Sequence, residues 1–182
     1  MCIFVLALVS CGTGTKEENN FIRENIDFAV DQIGREIEVI EASDKFLNPV
    51  TLKQDGSVYY CGYADWRSGF FPGSVWYLYE LTGDESYRPL AHKYSKGIEE
   101  AKNLTWHHDV GFMVYCSFGN GLRLTGEPEY KDIIIQTAKS LSTRFRPVAG
   151  ILQSWDVERG WQSERGWECP VIIDNMMNLE LL

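Results

Sequence analysis

Two aspartates are placed where they could move a proton. Asp109 in "WHHDVGFM" and Asp174 in "VIIDNMMNLELL" each open an apolar run with helical spacing. Alone, an aspartate at such a place is a helix N-cap, its carboxylate accepting from the backbone amides that the first turn leaves free. Two of them on helices running the same way would share one rim and could face a common cleft. Carboxylates held together in a partly dry pocket repel, which favours a shared proton and equips the pair for general acid/base work.

Aromatic and imidazole groups gather in the same segments. Trp66, Trp106, Trp155, Trp161 and Trp167 all lie in loops that lead into the candidate inner helices, whereas Trp76 falls inside a helix and is expected in the core. Flat apolar faces with an indole donor suit sugar rings, whose C–H faces are apolar and whose edges are polar. His107 and His108 precede Asp109 directly. Adjacent residues point in different directions, and there is no HExxH or Cys-rich partner, so no metal site is expected; His108 is read as a hydrogen-bonding neighbour of Asp109. His92 is expected on the surface. Gly-rich phosphate loops and a GxSxG nucleophile are absent, which excludes P-loop enzymes, kinases and α/β-hydrolases.

The elements that must position these residues are legible as a repeat. "SGFFPGSVWYLYELTGDESYRPLAHKYSKGIEEAKN" and "VGFMVYCSFGNGLRLTGEPEYKDIIIQTAKSLSTRF" share one order: Gly-Phe, an apolar helix, Leu-Thr-Gly, a turn, and an amphipathic helix. A period of about forty residues with two helices per unit marks a helical repeat. Gly83 and Gly126 are placed as C-caps, where a left-handed residue ends a helix. Tyr87, Leu90, Ala91 and Tyr94, and again Ile134, Ala138, Leu141 and Phe145, predict one-faced outer helices. The first helices, apolar nearly all round, are expected inside. A helix over 20–42, with Phe21, Ile22, Ile26, Phe28, Ala29 and Ile33 as its apolar positions, would pack outside the first pair. The segments 43–69 and 148–170 read as long loops, more often functional than decorative. Two hairpins and the start of a third predict an all-α (α/α)6 toroid, about half of it in this chain and open at one edge. Residues 20–182 would be its N-terminal part, and the chain a truncated one.

The 182 residues carry a formal charge of −9, with 45% hydrophobic and 24% charged positions. That is an ordinary globular composition, and the acidic balance argues against nucleic acid as a partner, which needs clustered Lys and Arg. Residues 1–19 differ: an apolar stretch from Ile3 to Val9, far short of the ~20 residues of a membrane span, runs into "LVSC" and a polar spacer. This pattern resembles a lipoprotein signal, with Cys11 lipidated and the following residues as tether. It places the protein in the periplasm or at the outer membrane of a Gram-negative bacterium, with membrane contact only through lipid. Cys61, Cys116 and Cys169 form no metal or disulfide pattern and are read as small buried side chains.

"DWRSGFFPGSVWYLYELTGD", "HHDVGFMVYCSFGNGLRLTG", "AKSLSTRF" and "PVIIDNMMNLELL" together resemble glycoside hydrolase family 88, the unsaturated glucuronyl hydrolases, over about 20–182 and the N-terminal half of a member. The resemblance implies hydration of a vinyl ether, in a 4,5-unsaturated uronic acid at the non-reducing end of lyase-generated glycosaminoglycan oligosaccharides, with no cofactor. It implies Asp174 as general acid/base, Asp109 as its assistant, and Trp66, His108 and Trp155 as sugar-binding residues. Family members also use an arginine and a histidine that would lie beyond Leu182. A competing reading, from the helical repeat and its tryptophans, is a non-catalytic glycan-binding lipoprotein. The source polysaccharide and the oligomeric state are not readable from these residues.

Overall fold

Alternation between wholly apolar and one-faced helices dictates a layered structure, and the computed structural model, which describes residues 16–158 and 160–182, has one. The signal-like segment and Cys11 lie outside the described residues. Helix α1 (Lys16–Glu41) leads, followed by a β-hairpin of β1 (Pro49–Leu52) and β2 (Val58–Tyr60). Helices α2 (Phe70–Thr82) and α3 (Tyr87–Lys96) form the first helical hairpin. A 3-10 turn (Glu99–Asn103) leads to the second inner helix, built from α4 (Val110–Val114), a π turn (Tyr115–Gly119) and α5 (Asn120–Thr125). Its outer partner is α6 (Pro128–Ser142). Short strands β3 (Phe145–Arg146) and β4 (Ile151–Leu152), then α7 (Gly160–Glu164), precede α8 (Asn175–Asn178), which opens a third inner position.

The repeat punctuation is as expected. Gly83 and Gly126 end α2 and α5 in the left-handed region, at φ 68° and 70°, which a side chain would resist. The core lies between inner and outer helices: Val75 and Trp76 from α2, Met113 and Phe118 from the second inner helix, Tyr94 and Leu141 from the outer ones. Trp76 is fully buried, and its indole N–H donates to Ser95 Oγ at 3.1 Å, so the large ring brings no unsatisfied donor into the core.

Four details differ from the sequence reading. Phe21, Ile22 and Phe28 of α1 are exposed, because only the C-terminal half of that helix, through Ile33, Ile37 and Ile40, reaches the hairpin behind it. Phe145 is exposed on β3, because α6 has already stopped at Ser142. His92 is half-buried, its Nδ1 2.5 Å from the Tyr130 hydroxyl. The segment 43–69 contains a hairpin: Asp55 Oδ1 accepts from the Ser57 amide and hydroxyl, and Gly56 takes φ 82°, a turn chemistry that pairs β1 with β2.

The repeated Gly-Phe pairs have a packing cause. A Cβ on Gly69 would lie 2.2 Å from the carbonyl oxygens of Phe112 and Met113, and one on Gly111 would lie 2.6 Å from Cα of Asn178. Each glycine therefore lets its inner helix touch the backbone of the next. Gly111→Ala should force α4 and α8 apart and lower stability by about 1–3 kcal/mol, the usual cost of overpacking; urea unfolding with an unchanged slope and a lower midpoint is the expected record.

Candidate active site

Asp109 and Asp174 occupy the N-cap positions of α4 and α8, yet neither carboxylate accepts a hydrogen bond from its own helix. Capping, the ordinary reason for an aspartate there, is not what these two side chains do. They turn instead toward one ring. His108 Nε2 lies 3.3 Å from Asp109 Oδ1 and 3.8 Å from Asp174 Oδ2. His108 is fully buried and Asp109 is 8% exposed, while the Asp174 side chain is 36% exposed and forms the open side of the group. His107 adds a second ring: its Nδ1 accepts the Asp109 backbone N–H at 3.2 Å and stands 3.2 Å from Asp109 Oδ2.

Two helix starts meet here because the backbone is tied between them. Asn178 Oδ1 accepts the Phe112 N–H at 2.9 Å, and its amide donates to the Asp174 carbonyl at 3.1 Å, so one buried side chain joins α4 to α8. On the approach side, His108 N–H donates to the Ser154 carbonyl and Ser154 N–H to the Pro170 carbonyl, at 3.0 and 2.8 Å. The strand-like contact continues as an antiparallel bridge between His107 and Trp155. Thus the segment around Ser154 is threaded between the approaches to the two aspartates.

Arg144 holds that segment from beneath. Its guanidinium, essentially buried, donates to the carbonyls of Gln153 and Thr105 at 2.7 and 2.6 Å and to Asp156 at 3.1 Å. Burial pushes this guanidinium down from its ordinary value, and the Asp156 carboxylate pulls it back. The sequence shows Arg144 in "AKSLSTRF" but offers no reason to bury it; the same holds for Asn175 and Asn178, whose spacing beside Asp174 was the available signal.

The aromatic groups divide. Trp155 meets the His108 ring edge-on at 6.1 Å, and Trp161 and Trp167 continue from it with ring centroids 5.3 and 5.4 Å apart. Arg165 lies over both Trp161 and Trp167. Trp106 packs on His107 at 3.9 Å. Trp66, 47% exposed, stands on Phe70 and Phe112, at the start of α2 and α4. The ring therefore reaches the neighbourhood of the acid pair through Phe112 and not by contact with a carboxylate.

His108, Asp109 and Asp174 are, among the described residues, the set of three His, Cys, Asp or Glu groups whose potential ligating atoms fall within 4.8 Å of one another. A cation would need such proximity, and so does a shared proton. The reaction proposed below uses the set for proton transfer.

No family model matches the chain. An unsaturated glucuronyl hydrolase of Formosa agariphila is 48% identical over 119 residues, 65% of this chain and 28% of that protein. A solved unsaturated glucuronyl hydrolase specific for heparin superposes with a TM-score of 0.79 at 35% identity, over 90% of this chain and 42% of its own. The chain is thus similar to unsaturated glucuronyl hydrolases over most of its length. A further solved member, a variant with dGlcA-Glc-Rha-Glc, gives a TM-score of 0.66 at 27% identity over 84% of this chain and 39% of that one. The helices are those of an (α/α)6 toroid, and the chain spans less than half the length of the relatives it matches.

Replacing Arg144 by leucine should leave the Thr105 and Gln153 carbonyls without their donor and Asp156 without its partner. The expected cost is about 3 kcal/mol, since breaking a buried ionic group by removing one member is costly. Urea denaturation of the variant measures it, and histidine resonances of residues 107 and 108 should shift while that of His92 stays.

Proposed function

We propose that the chain carries the proton-transfer residues of an enzyme that hydrates the vinyl ether of a 4,5-unsaturated uronic acid, at the non-reducing end of a lyase-generated glycosaminoglycan oligosaccharide. The observation that supports this reading is the placement of Asp109 and Asp174, both off capping duty, against one buried imidazole. Asp174, the more open carboxyl, is the group that substrate can reach. It would give its proton to carbon four of the double bond, while water adds to carbon five and returns a proton to the same carboxylate. The bond made at carbon five creates a hemiketal. On ring opening it becomes a ketone, and the hemiacetal left at carbon one releases the neighbouring sugar as its alcohol. One water is consumed and Asp174 ends as it began, as general acid/base catalysis requires.

Asp109, nearly buried between His107 and His108, is placed to keep negative charge beside Asp174 without being consumed. Trp155, packed on His108, and Trp66, above Phe112, supply faces for the sugar. The substrate class is supported by the names of the relatives, among them the heparin-specific enzyme and the variant with dGlcA-Glc-Rha-Glc. Export and lipid attachment at Cys11, hence a periplasmic or outer-membrane site, belong to the same proposal and are supported by the sequence pattern of the first nineteen residues.

An unsaturated chondroitin or hyaluronan disaccharide loses its ultraviolet absorbance as the double bond is hydrated. The full-length protein should cause that loss, and Asp174→Asn should slow it by at least about a thousandfold, the scale of a positioned acid/base together with its electrostatics. Constant absorbance with retained binding would instead make the protein a glycan-binding module. For the anchor, detergent-phase partitioning in a Gram-negative host should follow the protein and be lost in Cys11→Ala.

A further inference from the structure

The buried end of the site contains a proton-counting problem that the acid pair alone does not resolve. His108 Nδ1 lies 2.9 Å from Asn175 Oδ1. The amide nitrogen of the same asparagine donates to the Leu152 carbonyl at 2.8 Å, and that carbonyl can only accept. The amide is thereby oriented with its oxygen toward the ring. An oxygen cannot donate, so Nδ1 must carry hydrogen. In a neutral imidazole the other nitrogen, Nε2, is then a lone pair.

Nε2 is the atom that faces the two aspartates, and it has no hydrogen-bond partner although it is fully buried. The groups that face it are all acceptors in their ordinary states. Asp109 and Asp174 are carboxylates whose ion-pair contacts, among the described residues, are with histidines alone. His107 turns an accepting Nδ1 to the Asp109 amide, which leaves its own proton on the far nitrogen. Trp155 presents a ring edge to His108 without an ionisable group. More distant charges act through space: Arg144 on Asp109, Asp65 on His107, and Asp156 on Arg144. None of them delivers a hydrogen to Nε2.

We infer that Asn175 is a positioning residue that fixes His108 with its proton on Nδ1, so that Nε2 meets the aspartates as a lone pair. Nε2 and the two carboxylates lie within 4.8 Å of one another, so the tautomer decides whether the ring meets the aspartates as a donor or as an acceptor. The arrangement differs from a catalytic triad, where an orienting acid makes the histidine a base toward a hydroxyl. Here a neutral amide does the orienting, through an oxygen that can only accept. The bearing of this arrangement on proton transfer by Asp174 rests on the vinyl-ether reading, whereas the tautomer does not.

Nitrogen-15 NMR of histidine side chains tests this without turnover. The chain has three histidines, so His107→Gln and His108→Gln suffice to assign the signals. At neutral pH the expected record for His108 is a protonated, pyrrole-type Nδ1 and an unprotonated, pyridine-type Nε2. Asn175→Ala should make a pyrrole-type Nε2 signal appear, with His92, on the outer helix against Tyr130, unchanged as a report that the fold is intact. Asn175→Asp, which keeps an oxygen on Nδ1 but adds charge, should retain a protonated Nδ1 and protonate Nε2 as well. A pyrrole-type Nε2 in the unaltered protein overturns the inference. So does an Asn175→Ala protein whose His108 signals match the unaltered ones while His92 is native. Should Asn175→Ala fail to fold, the unaltered spectrum still decides.

Discussion

Everything at the acid site depends on how closely successive inner helices approach. Helices with side chains between them pack at 8–10 Å, a separation that would leave two N-terminal aspartates on neighbouring helices apart. The glycine at the head of each inner helix removes that spacing. Gly69 sets α2 directly on the carbonyls of Phe112 and Met113, and Gly111 sets α4 on the backbone of Asn178. Because the contact is made at the helix N-terminus, the residues just before it, including Asp109 and Asp174, converge as well. The repeated Gly-Phe pair is thus a structural device, and its second occurrence is what places two carboxylates on one imidazole.

Close backbone approach leaves polar groups that must be satisfied, and the two asparagines of α8 do this. Asn178 bridges the Phe112 amide and the Asp174 carbonyl; Asn175 bridges His108 and the Leu152 carbonyl. Both are essentially buried. Each uses an oxygen toward α4 or its leader and a nitrogen toward α8 or the β3–β4 segment, so the helices are locked in register as well as in distance. Buried polar bridges of this kind stabilise little in net terms, but leaving either end unmade is costly, and the geometry is thereby made singular.

The parts of the fold legible in the sequence were those set by local chemistry. Leu-Thr-Gly announced the ends of α2 and α5 because a left-handed residue is needed there, and the apolar pattern separated inner from outer helices. The hairpin over residues 49–60 was hidden because its signal lies in the Asp55-Gly56 turn and not in a long alternating run. The exposed start of α1 was misread for a different reason: periodicity reports which residues share a face, and says nothing of whether a surface exists to cover it. Phe145 failed in the same way, since spacing carried the stripe past the residue where the helix stops. At the site, the aspartates and His108 could be singled out from their type and place, and Trp155 from its loop. Arg144, Asn175 and Asn178 could not, because their roles are tertiary: each satisfies backbone carbonyls or amides contributed by distant segments, which no single stretch of sequence displays.

The site also shows why helix-start aspartates should not be assigned to capping by position alone. A capping carboxylate turns back onto its own first turn, where the free amides and the helix dipole hold it as an anion. Asp109 and Asp174 have that option and do not take it: the first turn of α4 is satisfied in part by Asn178, whose oxygen takes the Phe112 N–H. Relieved of the amide, the Asp109 side chain is free to lean on His107 and His108, and Asp174 on His108 across the gap. A carboxylate bound to several amides would hold its charge too firmly to exchange a proton. Transferring the capping task to an asparagine therefore serves the chemistry directly, since it leaves two carboxyls whose environment is set by each other and by the neighbouring imidazoles.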